Sequence, residues 1–152
     1  MDAIGAMFAN PATAGVYQLE GDARRTAQAA ADADLTAFRI DIGHAHDKED
    51  FLAEVSKAMS FPAWFGGNWD ALADCLKDLS WIEGNGWVII LEKSKHFCAA
   101  HRNEFDEAIV VLGEASAYWG AQGRPFWVLI GGPDGWKSGY PPMPSADAKP
   151  TR

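Results

Sequence analysis

A chain of 152 residues, 48% of them hydrophobic, is long enough to bury a core and short enough to form one domain, and none of its apolar runs reaches the ~20 residues of a membrane span. A formal net charge of −8 and a pI near 4.8 argue against RNA, DNA or an anionic membrane as direct partners, because phosphate is gripped by clustered Lys and Arg; a basic partner suits such a chain. Two cysteines, Cys75 and Cys98, are too few for a disulfide framework and read as buried thiols in a reducing compartment.

The opening "MDAIGAMFANPATAG" has an acid at residue 2, no early Lys or Arg and only a short apolar stretch, unlike a signal peptide, so the expected location is the cytoplasm. Residues 1–13, Ala-rich and broken by Pro11, are expected to form a flexible N-terminus. "GVYQL" (15–19) reads as a short strand, and "DARRTAQAAADA" (22–33) as an Ala-rich helix with Asp22 as its N-cap. "AFRIDI" (37–42) alternates like a strand. In "DKEDFLAEVSKAM" (47–59), Phe51, Leu52, Val55 and Met59 recur at helical spacing behind an acidic first turn, which suits the positive end of a helix dipole. "GWVIIL" (86–91) is a nearly continuous apolar run of the buried parallel-strand type. "RNEFDEAIVVLGEASAYWG" (102–120) supplies a long helix weakened by Gly113, and "PFWVLI" (125–130) another buried strand. The Gly-, Pro- and Ser-rich residues 132–152 have no period and are expected to be a flexible tail, which leaves 14–131 as the folded domain. Strands alternating with helices predict an α/β fold: a small, mainly parallel sheet packed against helices.

Between the helix at 47–59 and the strand at 86–91 lies "FPAWFGGNWDALADCLKDLSWI" (61–82). On a helical wheel Leu72, Cys75, Leu76 and Leu79 converge on one side, while Asp70, Asp74 and Asp78 gather nearly opposite. Asn68 is the expected N-cap, so Asp70 sits in the first turn where the dipole favours it. Asp74 lies too deep for that benefit and repels both acidic neighbours by a few tenths of a kcal/mol, partly offset by Lys77. A solvated helix face accounts for this pattern by itself. The preceding loop adds more, because Trp64, Phe65 and Trp69 surround Gly66 and Gly67, a flexible turn that brings backbone amides and aromatic faces beside the carboxylates. Core packing is expected for Phe65 and Trp69, and an exposed partner contact for Trp64.

That stretch closely resembles the signature of the barstar family of ribonuclease inhibitors, in which Pro, an aromatic pair, Gly, Asn and "DALxDCL" follow in this order. The resemblance is strongest over 61–82 and extends more loosely over 36–130, the core of the barstar-like domain; residues 14–33 would be an N-terminal strand-helix addition. It implies that the loop and acidic helix plug the active site of a basic, extracellular-type, barnase-like ribonuclease or a diverged nuclease toxin, with carboxylates where RNA phosphates would lie. By position, Asp74 would be the central carboxylate and Asp70 a second. Trp64 would be the loop aromatic, Gly66, Asn68, Ala73 and Lys77 would line the contact, and Glu114 would be a peripheral acid from the long helix. No catalytic residue, metal or cofactor is implied. This chain departs from the pattern in three places: Gly67 where a charged or polar residue is common, Ala73 where some members have a large aromatic, and Lys77, whose charge would repel a basic enzyme. They leave open a non-inhibitory interaction module that uses the same helix for a diverged partner.

Two other chemistries fit less well. Asp70 and Asp74, at (i, i+4), stand about 5–6 Å apart at Cβ, near the carboxylate separation of retaining glycosidases, but one exposed helix face cannot flank a scissile bond. "HAHDKED" offers His44, His46, Asp47, Glu49 and Asp50, with His96 and His101 elsewhere, yet a polar loop leading into an acidic helix start explains the same residues. "EKSKHF" is too small a basic patch for nucleic acid, and there is no phosphate-cradling Gly loop, nucleophile elbow or Cys-x-x-Cys.

Overall fold

The apolar runs at 87–91 and 126–130 lie in the middle of a four-stranded parallel sheet, where strands covered on both faces need an apolar residue at every position. The computed structural model describes residues 3–145; the expectations for 1–2 and 146–152 fall outside the described residues. In chain order the elements are α1 (Ala3–Phe8), a 3-10 turn (Pro11–Thr13), β1 (Val16–Gln18), α2 (Ala23–Asp32), β2 (Thr36–Asp41), α3 (Lys48–Ala58), α4 (Trp69–Asp78), β3 (Trp87–Glu92), α5 (Lys95–Ala100), α6 (Arg102–Gly120) and β4 (Phe126–Ile130). The fold is therefore α/β, as expected, with the sheet wholly rather than mainly parallel in the order β1-β4-β3-β2. Among the described residues no helix is long and apolar enough to cross a membrane.

Register divides the core between the two faces of the sheet. Trp87 pairs with Phe126 and Thr36, so Trp87, Ile89, Leu91, Val128 and Ile130 pack against α3 to α6, while Val88, Ile90, Trp127 and Leu129 face α1 and α2. The N-terminal addition thus supplies the edge strand β1 and the cover for the second face. Asp22 caps α2 as expected, accepting from the amides of Arg24 and Arg25 at 2.7 and 3.1 Å. Gly113 does not break α6, whose buried stripe runs past it through Leu112, Ala115 and Trp119.

Both termini depart from expectation. Residues 3–13 are not loose: α1 buries Met7 and Phe8, and Phe8 meets Trp127 edge-on at 5.4 Å. The far face of a parallel sheet needs such a cover, and α2, largely Ala, is too slim to provide it alone. The tail is held over 132–145 by polar contacts that leave no periodic trace. Gln18 N donates to Pro141 O at 2.6 Å, Ser138 N to Gln18 Oε1 at 2.8 Å, and Arg102 Nη1 to Ser138 O at 2.8 Å. Tyr140 Oη donates to Asp106 Oδ1 at 2.8 Å. A further helix, α5, begins within the stretch read as a basic patch and runs past it, turning Phe97 and Cys98 into the core.

Candidate functional site

Asn68 sets the start of α4 by accepting from Ala71 N at 2.8 Å, the expected N-cap. Leu72, Cys75 and Leu76 are wholly buried on one face, and Asp70, Asp74 and Asp78 are exposed on the other. Burying each leucine is worth about 1.5–3 kcal/mol, against a few tenths for each repulsion between neighbouring carboxylates, so packing fixes the helix and the acidic face is carried along. From the next layer, Trp119 Nε1 on α6 donates to Leu76 O at 2.7 Å, filling a carbonyl that the end of α4 leaves open.

The acidic face offers acceptors. Asp70 and Asp74 make no side-chain hydrogen bond or ion pair among the described residues, whereas Asp78 accepts from Ser80 Oγ at 3.2 Å. Beneath it the Cys75 thiol is pushed up to about 11, by burial first and then by Asp74 and Asp78, which disfavour a second anion. Ala73 and Lys77 are half-buried on α4, and Lys77 has no carboxylate partner among the described residues. Glu114 is exposed on α6, the helix that packs on α4.

The loop before α4 is pinned rather than flexible. Phe65 N donates to Pro62 O at 3.0 Å, and Phe61 meets Phe65 and Trp81 edge-on at 4.9 and 5.9 Å. Trp81 is the residue the wheel did not single out. Its Nε1 donates to Met59 O at 3.1 Å and its ring takes the edge of Trp64 at 6.3 Å, so it buttresses the loop from behind; the aromatic just past the end of α4, in "DLSWI", was the available signal. Trp64 remains 57% exposed. Phe65 and Trp69 are partly buried against the core, Trp69 lying 6.2 Å from Phe51. Gly66 is exposed, and Gly67 adopts φ +70°, a conformation that favours glycine and lets the chain turn into Asn68. Beside it, Gly67, Phe65, Glu49 and Leu52 line a hollow of ≈ 410 Å³ between the loop and α3.

The residues weighed for metal chemistry are placed otherwise. Asp47 caps α3 through Asp50 N at 2.8 Å, and Asp50 accepts from His46 N at 3.0 Å. His46 and His96 lie 6.0 Å apart at their ring centres, and no group of three or more candidate ligands converges among the described residues. Trp64, Gly66 and Asn68 thus stand on the loop and at the cap, Asp70, Ala73, Asp74 and Lys77 on the helix that follows, and Glu114 on a neighbouring helix. No curated protein matches the chain. One family model does, over residues 35–131, and its description is Barstar (barnase inhibitor).

Proposed function

This chain belongs to the barstar family, and on that premise we propose that it is a proteinaceous inhibitor of a basic, barnase-like ribonuclease or a diverged nuclease toxin, acting in the cytoplasm of the producing cell. The observation that carries the reading is the pair of exposed carboxylates, Asp70 and Asp74, without a side-chain partner among the described residues, on the helix that follows a pinned loop bearing the exposed Trp64. Such a surface is preorganised: little conformational freedom is left to lose on docking. Asp74 is the central acceptor for the enzyme's Arg and His donors, Asp70 a second, Trp64 the aromatic anchor and Glu114 a peripheral acid. Repulsion along α4 is relieved when cations arrive. The protein blocks a reaction and performs none, and it uses no cofactor.

Calorimetric titration against a barnase-like ribonuclease with its catalytic base neutralised, beside an RNA-cleavage assay on the active enzyme, tests this. One-to-one binding with loss of cleavage is the expected result. Asp74→Ala should weaken binding by about 1.5–3 kcal/mol, roughly ten- to a hundredfold in Kd, with the unfolding midpoint unchanged or slightly raised. An unchanged Kd would remove Asp74 from its role. Lys77 and Ala73 favour a second reading, a non-inhibitory module with a diverged partner on the same face; binding without inhibition distinguishes it.

A further inference from the structure

The strands of the sheet all leave at one edge, and their order makes the exits part company. After β1 the chain enters α2 on one face, whereas after β2 and β3 it enters α3 and α5 on the other. Open parallel sheets take small ligands in the crevice between exits that diverge in this way. Here the crevice holds a cavity of ≈ 800 Å³, walled by residues that follow all four strands. That volume falls within the range of small-molecule sites. None of its lining comes from the loop 61–68 or from α4, so it is separate from the inhibitory surface.

Glycines bring the exits together as bare backbone. A Cβ on Gly43 would lie 3.1 Å from Lys93 Cβ, one on Gly131 3.3 Å from Leu91 O, and one on Gly132 would run into the Trp136 ring. Gly43 follows β2, and Gly131 and Gly132 follow β4, so no single glycine-rich motif announces the site. Around this backbone stand Lys93, Lys95, His44 and His96, against one lining carboxylate among the described residues, Glu92. Glu92 is occupied by Arg39, which donates through Nε and Nη2 at 2.7 and 2.9 Å, and Lys93 pairs with Asp41 at 3.2 Å. Lys95 has no ion-pair partner among the described residues, and each imidazole donates at least one N–H in either protonation state. Asp22 already takes the first amides of α2, so the cationic side chains rather than a helix end would meet an anion. A local excess of cations in a protein of net charge −8, with Leu19 and Ala99 as apolar walls, matches an anion that carries an apolar body.

We propose that this crevice binds a small organic phosphate of mononucleotide size, with its phosphate among Lys95, His44 and His96 and its apolar part against Leu19 and Ala99. The test is titration of the ¹⁵N-labelled full chain with AMP and, separately, with adenosine, followed by NMR. AMP should shift the amides of Gly43, Gly131 and Gly132. Lys95→Gln should weaken AMP binding about tenfold, and adenosine should bind at least about tenfold more weakly than AMP. Asp74→Ala should leave AMP binding unchanged. Lys95 is exposed, so its replacement leaves the fold intact. Any one of three results overturns the proposal: no shift of those amides at about 10 mM AMP, equal affinity for AMP and adenosine, or undiminished binding by Lys95→Gln.

Discussion

Asn68 and Cys75 show how single residues set the behaviour of α4. The Asn68 side chain supplies the acceptor that closes the first turn, so Asn68→Ala should cost about 1 kcal/mol in urea unfolding, and an unchanged midpoint would mean that the cap is dispensable. Cys75 links the core to the acidic face. Its thiol ionises at an ordinary 9.0 in the unfolded chain and at about 11 in the fold, so the folded state holds the proton where the unfolded chain has released it. That contribution to stability is whole below 9.0 and is lost as pH rises toward about 11. The unfolding free energy should therefore decline across this interval, and Cys75→Ala should flatten the decline. It should not abolish it, because burial also raises Cys98, and Tyr140 is pushed up to about 12 by burial first and then by Asp106.

Among the elements, α1 has the most to say about the fold. If residues 3–13 were loose, Phe8→Ala would cost nothing; packed edge-on against Trp127, the ring should be worth about 3–5 kcal/mol, measurable by chemical denaturation. The strands and longer helices were legible in the sequence because a repeating pattern marks them: the unbroken run of β3, the stripe of α6, the two faces of α4. Six-residue helices such as α1 and α5 are too short to establish a period, and Pro11 read as a break although it opens a 3-10 turn. The tail was illegible for another reason, since Gln18 and Arg102 hold it from far along the chain. In the candidate site, the carboxylates, the cap and Trp64 could be read locally, but the clasp of Trp81 on the loop depends on a fold that brings the chain just past α4 beside Met59 and Trp64.

At the scale of the molecule, a net charge of −8 acts on a basic partner before any contact forms. If the proposed partner is a basic ribonuclease, its stopped-flow association should slow by about tenfold or more as ionic strength rises from about 0.05 to about 0.5 M, while dissociation changes much less. An association rate indifferent to salt would detach the acidic helix from recognition. The same architecture also governs how copies of the chain meet one another. An edge strand normally exposes a row of amides and carbonyls that a second chain can extend. At Gln18, the last residue of β1, that row is met by Pro141 and Pro142, the first accepting from Gln18 N and the second lacking an N–H to pass the ladder on. Along β2, at the opposite rim, Arg39 and Asp41 are exposed charges that a newcomer would have to bury. Neither rim invites another strand, so the chain is guarded against the strand-by-strand aggregation to which open sheets are prone.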